Sequence, residues 1–497
     1  MTIYYVNSST GSDRNSGTGQ TSAFATLSKV ESLQLKPGDS VLLARGSVFN
    51  EQLDIKYSGS GSAPIKFGSY GTGAAPVIHS GADGIHSLYA TNIVIENIKI
   101  ASAGGAAIYG GNVSNWTVRN VEVDKAGLSG KSGSVTFRTG ENITIENSKI
   151  SNVNGDGVWI EKVNGVKFLN NTVTNSHGSV ADGVQMNDSS NILISGNHLD
   201  QTGATSPKGV LTLIRPVNAV IEDNVLTGGG FGISAQAGKT VTIRDNDISG
   251  FKGHSWSFAV ALGEMGNAKD YGISGNHIHD GAWGVVVTAP IGSPDYVRAN
   301  INVHNNTFDD LSGAALKVDR PASGSFHDNT IETGTTATSI SPAIQDAHTF
   351  PVSNNHIVAN VGATTLAATD ATAAATTEAV ADPAVSAVHD NLKIITETGA
   401  AHRGNLLDND SPDSDTLVLR RFGDEAVGKH GLTLAGKYGE IQVDRDGNYA
   451  YTLDEAKLPH HDGHVSENFS YGVDNGNTHH SDTDTLTVFI HKDGFLS

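Results

Sequence analysis

The chain has 497 residues, enough for more than one domain, and a formal net charge of −20 from 52 acidic and 32 basic side chains. That balance excludes a general nucleic-acid binder, which needs a basic face, and the lack of any cysteine excludes disulfides and thiolate metal sites. No apolar run reaches the roughly 18 residues of a membrane span, and 58 glycines with few aromatics suit tight turns and short strands rather than long helices.

The N-terminus, "MTIYYVNSSTGSDRN", lacks a basic segment followed by an apolar stretch, so no signal peptide of the usual kind is expected. Residues 1–80 read as strand, loop, short helix, turn and strand. Segment 23–33, "AFATLSKVESL", is expected to form an amphipathic helix that caps the N-terminal end of the strand-rich region.

An internal repeat then dominates. An asparagine follows each β-rich run: Asn97, Asn120, Asn147, Asn171, Asn197, Asn224, Asn246, Asn276, Asn306, Asn329 and Asn355, at intervals of 22 to 30 residues. Asn and Gly tolerate left-handed backbone and suit sharp corners. Between corners the alternation has period two, as in Val158 and Ile160 against Trp159 and Glu161. The expected fold is all-β: a right-handed parallel β-helix solenoid over residues 81–360, with each coil about 4.8 Å from the last.

Residues 361–384, rich in Ala and Thr, read as a linker. Residues 385–497 return to alternating strands joined by Asp, Gly and Asn turns, the pattern of a small β-sandwich.

The candidate site comes from three related stretches, "GDGVWIE", "ADGVQMND" and "PKGVLTL". They place Asp156, Asp182 and Lys208 at 26-residue steps, so one column of stacked coils would hold two carboxylates and an ammonium. Two carboxylates about one strand spacing apart repel unless a cation or proton compensates. Asp156 and Asp182 share the parity of the inward residues Val158, Ile160, Val184 and Met186. An outward orientation therefore needs a bend, which Gly157, Gly183 and Gly209 would allow. Outward neighbours Arg138, Trp159, Glu161, Gln185 and Asn187 form a polar strip with one aromatic, suited to a sugar chain. Corner loops add His177, Arg215, Lys252, His254 and Trp256. The bland alternative is that turn aspartates merely accept hydrogen bonds from backbone amides.

Other polar clusters carry less. Asp408, Asp410, Asp413 and Asp415 offer hard oxygen donors for calcium but read as turn formers. The pairs His460–His461 and His479–His480 lack metal-ligand spacing, and no phosphate-binding loop, dinucleotide fingerprint or HExxH motif is present.

The segments "YYVNSSTGSD", "SAFATLSKV", "LKPGDSVLL" and "SAPIKFGSYGTGAAPVI", taken with the repeat, resemble the opening of secreted right-handed β-helix carbohydrate enzymes. The stretches "NLLDNDSPDSDTLVLRRFG", "GKYGEIQVDRDGNYAYTLDEA" and "ENFSYGVDNGNTHHSDTDTLTVFI" resemble the cadherin-like VCBS repeat of large exported bacterial proteins. The two together resemble the rhizobial Ply-type glycanases that trim acidic exopolysaccharide.

The first resemblance implies a polysaccharide lyase, glycoside hydrolase or uronate epimerase. A lyase removes the C5 proton of a uronic acid and needs a base and a cation to stabilise the developing dianion. Lys208 matches the base. Asp156 and Asp182, helped by Glu161, match the ligands of a calcium ion. A hydrolase would instead use Asp156 and Asp182 as acid and nucleophile or base, for which one coil spacing, about 4.8 Å, is near the roughly 5–5.5 Å of retaining enzymes. A third reading is a non-enzymatic polysaccharide-binding adhesin. The expected partner is an acidic polysaccharide, the expected state a monomer, and the expected location extracellular or cell-surface, reached by type I export.

Overall fold

Every second side chain in the short runs is aliphatic, so one side of each run has to be buried, and no single run has enough apolar surface to bury itself. In the computed structural model the runs stack as parallel strands into two continuous sheets of 23 and 13 strands. The structure describes residues 1–127, 133–205, 209–252, 257–287, 296–318, 321–331, 336–340 and 350–357. In the C-terminal part it describes 390–395, 401–407, 417–423, 425–428, 431–458, 463–474 and 481–492. The chain divides into two compact units, Met1–Thr365 and Leu366–Ser497.

A typical coil contributes three strand segments. The coil after Val158–Leu169 consists of Asp182–Asn187 and Ser190–Ser195 in the larger sheet and His198–Asp200 in the smaller. Register keeps like residues in columns: Val158, Val184, Leu211 and Ile233 pair in turn, as do Val166, Ile192, Ala219 and Val241. The smaller sheet aligns Val173, Leu199, Leu226, Ile248, Ile278 and Phe308. All of these are buried and form one core. Each fully buried Val, Leu or Ile contributes about 1.5–3 kcal/mol, so the columns are the main source of stability. The fold is the expected all-β parallel β-helix followed by an immunoglobulin-like sandwich.

The asparagines mark two positions rather than one. Asn97, Asn120 and Asn147 are left-handed corner residues with φ of 57°, 51° and 49°. The next residue in the frame points inward, and from Asn171 onward it is asparagine in every coil through Asn355. There the side chains form a ladder. Asn224 Nδ2 and its backbone N–H donate to Asn246 Oδ1 at 2.9 and 3.1 Å, and Asn246 donates likewise to Asn276 at 2.9 and 3.1 Å. Each buried amide is thus satisfied by its neighbours, which is what makes an interior polar column tolerable. The corner beside the ladder is filled by Asn170, Gly196, Asp223, Asp245 and Gly275, all at positive φ, so residue type there follows backbone conformation.

The N-terminal helix is shorter than expected, Leu27–Glu31. The Thr26 hydroxyl accepts from Lys29 N at 3.0 Å and sets its start, and only Leu27 and Val30 of the helix are buried, too few to hold a longer one.

The C-terminal unit has a five-stranded and a four-stranded sheet with a core that includes Phe422, Tyr451, Phe469 and Tyr471. Buried Tyr451 donates its hydroxyl to Glu467. The Ala/Thr-rich segment 361–384, the aspartates at 408, 410, 413 and 415, and the histidine pairs at 460–461 and 479–480 lie outside the described residues.

Candidate functional site

The larger sheet carries its outward side chains in columns. One runs Asp54, His86, Tyr109, Thr136, Trp159, Gln185, Thr212 and Ser234, and the next holds Arg138, Glu161, Asn187, Ile214 and Gln236. Beyond the second column the chain turns through Thr139, Lys162, Asp188, Arg215 and Ala237, all at positive φ, which swings their side chains to one edge of the strip.

The structure brings together Arg138, Trp159, Glu161, Gln185, Asn187 and Arg215 on this face. Arg138 Nε donates to Glu161 Oε2 at 3.0 Å, and its guanidinium carbon lies 5.5 Å from the Trp159 ring centroid. Lys162 Nζ is 3.4 Å from Glu161 Oε1. Arg215 grips Asp188 through two N–H groups, one at 2.7 Å. These hydrogen bonds pull the Asp188 carboxyl below its ordinary range against the smaller opposing effect of burial. Gln185 Nε2 donates to Asn187 Oδ1 at 3.3 Å. Two buried polar atoms of the same column, Trp159 Nε1 and Thr212 Oγ1, have no hydrogen-bond partner among the described residues. Arg138 and Arg215 are thus each paired with a carboxylate. Around Trp159 three cations, Arg138, Lys162 and Arg215, meet two carboxylates, Glu161 and Asp188.

Asp156 and Asp182 are not on this face. They are 3% and 0% exposed. Asp156 Oδ1 accepts the backbone N–H of Asp182 at 2.8 Å, and Asp83, in the same frame, accepts from Ala106 N at 2.8 Å. The side-chain parity that places Val158 and Val184 inside therefore extends to both aspartates. The adjacent glycines do not turn the chain outward, since none of the three has a positive φ. They relieve close approach instead: a Cβ on Gly157 would lie 2.4 Å from Gly183 O, and one on Gly209 would lie 2.1 Å from the Phe231 ring. With two members inside the wall and Glu161 outside it, the expected calcium ligands do not converge. The buried positions likewise remove Asp156 and Asp182 as acid and nucleophile.

Asp182 pairs with Gly209, not with residue 208, because this coil is one residue longer than the one before. Lys208 itself, His254 and Trp256 lie outside the described residues. His177 and Lys252 sit at the strand-entry edge. His177 Nδ1 accepts from Thr205 N at 3.0 Å, and the Lys252 charge helps hold the Asp280 carboxyl low, after the larger effect of its hydrogen bond to His279.

Sequence reasoning missed His86, Tyr109 and Thr212, which continue the Trp159 column. His86 Nδ1 is 3.0 Å from Asp54 Oδ1, and the His86 and Tyr109 rings stack at 5.4 Å. The signal was there in the parallel stretches "IHSL", "IYGG" and "VTFR", which share the frame of "VWIE". It also missed Glu264, whose carboxyl is pushed up by burial and whose backbone N–H donates to Gln236 Oε1 at 2.8 Å.

Residues 31–178 and 106–258 match the family model for the right-handed β-helix region, and residues 379–491 match that for a bacterial Ig domain. A lacto-N-biosidase of Bifidobacterium longum subsp. longum is 38% identical over 129 residues, 24% of this chain and 8% of that protein. The calcium-binding lectin RapA2 of Rhizobium johnstonii is 41% identical over 94 residues, 18% of this chain and 39% of the lectin. The chain therefore spans well under two thirds of either relative. Among solved structures, a lacto-N-biosidase from Eubacterium ramulus aligns with a TM-score of 0.48 at 15% identity, covering 72% of this chain and 68% of that one.

Proposed function

We propose that this chain degrades an acidic, uronate-containing exopolysaccharide outside the cell, on the outward face built around Trp159. The observation that carries the reading is the combination on one strip of the Trp159 ring, three cations, Arg138, Lys162 and Arg215, and the polar side chains Gln185 and Asn187. Aromatic faces stack on sugar rings, amide side chains hydrogen-bond sugar hydroxyls, and the cations compensate a uronate carboxylate. The partial likeness to a lacto-N-biosidase and to a calcium-binding lectin agrees with a carbohydrate ligand.

The reaction favoured is β-elimination. Arg138, Lys162 and Arg215 would neutralise the uronate as its C5 proton leaves, with Lys208 as the base. Calcium, if it takes part, is held by residues other than the Asp156 and Asp182 pair. The second reading is hydrolysis, favoured by the placement of Glu161 and Asp188, which are on adjacent coils and reach this face. The Ply-type architecture, a VCBS-like role for the C-terminal unit, type I export and a monomeric state belong to the same proposal.

The test is incubation with matched native and carboxyl-reduced exopolysaccharide, followed by absorbance of unsaturated uronate and by reducing ends. Elimination gives both signals on the native polymer and neither on the reduced one. Hydrolysis gives reducing ends alone. Binding without either signal would replace the enzyme by an adhesin.

A further inference from the structure

The smaller sheet carries a cluster that the polysaccharide face does not use. The strands Asp247–Ser249 and His277–His279 are neighbours, with Asp247 opposite His277 and Ser249 opposite His279. Ile248 and Ile278 between them are buried, so alternation turns Asp247, His277 and His279 outward together. His277 Nδ1 is 3.5 Å from Asp247 Oδ2, and His279 Nε2 is 3.4 Å from Asp247 Oδ1. One ligand atom from each of the three lies within 4.8 Å of the others.

We propose that Asp247, His277 and His279 bind one divalent transition-metal ion of the zinc class. Metal–ligand bonds of about 2.0–2.1 Å in tetrahedral geometry put ligand atoms roughly 3.3 Å apart. The two His-to-Asp separations stand near that length but run to different oxygens of the carboxylate, so binding draws three ligand atoms that lie within 4.8 Å of one another onto one centre. The two imidazoles stack with centroids 4.2 Å apart. A single bound cation reconciles two adjacent rings with one carboxylate, whereas protonation of both rings would set like charges face to face. The orientation of His279 is fixed from behind: its Nδ1 lies 2.9 Å from Asp280 Oδ2. An N–H held there leaves Nε2 as a lone-pair donor aimed at Asp247, the carboxylate–histidine arrangement that supports metal-ligating imidazoles. Two imidazoles and one carboxylate suit zinc, nickel or copper and disfavour calcium and magnesium, which take oxygen ligands. His277 is 47% exposed on its side chain, so solvent reaches the fourth position. The ion would tie two successive coils together from outside.

The experiment uses the full chain after treatment with a chelator and its removal. Zinc chloride is titrated in competition with a chromogenic zinc indicator, and cobalt(II) absorbance provides a second readout. The comparison is among wild type, the double variant His277→Ala/His279→Ala, the single variant Asp247→Asn, and the control His304→Ala/His327→Ala, another stacked exposed pair. The expected result is one zinc equivalent bound by wild type and control and lost in the double variant. Asp247→Asn should bind at least tenfold more weakly. Zinc should raise the melting temperature of wild type but not of the double variant. A wild type that takes up no equivalent, or a folded double variant that keeps it together with the cobalt bands, overturns the site.

Discussion

Asp156 Oδ1 and the backbone N–H of Asp182 meet at 2.8 Å across one coil, so a carboxylate that looks poised for chemistry is instead bonded to the backbone of the next strand. Removing the acceptor leaves a buried N–H without its partner, a loss of about 1–3 kcal/mol. Asp156→Ala should lower the urea midpoint accordingly, while Asp156→Asn, which keeps an acceptor oxygen, should lose clearly less. Equal losses in both would show that charge rather than the hydrogen bond matters there.

The two asparagine positions should differ in how much substitution costs. Asn246→Ala strands the N–H and Nδ2 donors of Asn224 inside the core and should cost about 3 kcal/mol or more in an equilibrium unfolding measurement. Asn120→Gly keeps a left-handed corner that glycine adopts freely, with φ of 51° in the native chain, and should change stability by only a few tenths of a kcal/mol. Similar losses at both sites would mean that the corner asparagine also carries a tertiary load.

Acid dependence arises at the corner beside the ladder. Asp223 is pushed above its ordinary range by burial first, then by the charges of Glu222 and Asp245, and Asp245 is pushed up by burial against the opposing pull of Arg244. A carboxyl raised in the fold favours the folded state in acid, and that contribution is lost as pH rises through the folded pKa. Asp223→Asn should therefore stabilise the chain near pH 7 relative to wild type. Both carboxyls are only partly buried and still reach solvent, which limits the gain to a few tenths of a kcal/mol. The difference should vanish as pH falls below about 4, where the wild-type carboxyl is protonated too. Paired urea titrations at the two pH values check this, and a gain that persists in acid would exclude charge as its source.

Trp159→Ala should raise KM for the polymer about tenfold, equivalent to about 1.4 kcal/mol of binding, and Glu161→Gln should alter salt dependence by releasing Arg138. Arg244→Ala breaks a comparable surface pair with Glu222 on a different outward column and should leave KM unchanged. Initial rates across polymer concentration distinguish them. An unchanged KM in Trp159→Ala would move the substrate path off this face.

The solenoid was legible because its signal is redundant. A period-two aliphatic pattern with a corner residue every 22 to 30 positions has few other ways to bury itself. The frame was harder to read, since Asn170 and Asn171 are adjacent and serve different purposes, one turning the chain and the other lining the interior. The candidate column failed for the same kind of reason. Step length alone aligned Lys208 with Asp182, whereas the longer coil puts Gly209 opposite it. The orientation of Asp156 was open at the sequence level because a buried aspartate is costly unless a particular amide meets it, and that amide comes from the next coil. The outward residues Arg138, Trp159 and Glu161 were readable from parity, but their mutual pairing was not, because the three come from two coils.

The asparagine ladder has a polarity. From Asn171 through Asn329 each rung donates to the Oδ1 of the next rung toward the C-terminus, and from Asn197 through Asn355 each accepts from the rung before it. The Asn-to-Asn contacts of the column therefore run one way: along them a break between two rungs leaves amide donors on the upstream side and an Oδ1 acceptor on the downstream side, beside the Nδ2-to-carbonyl bonds that run back to the preceding coils. A solenoid with such a column carries a direction in its interior, independent of its outward face.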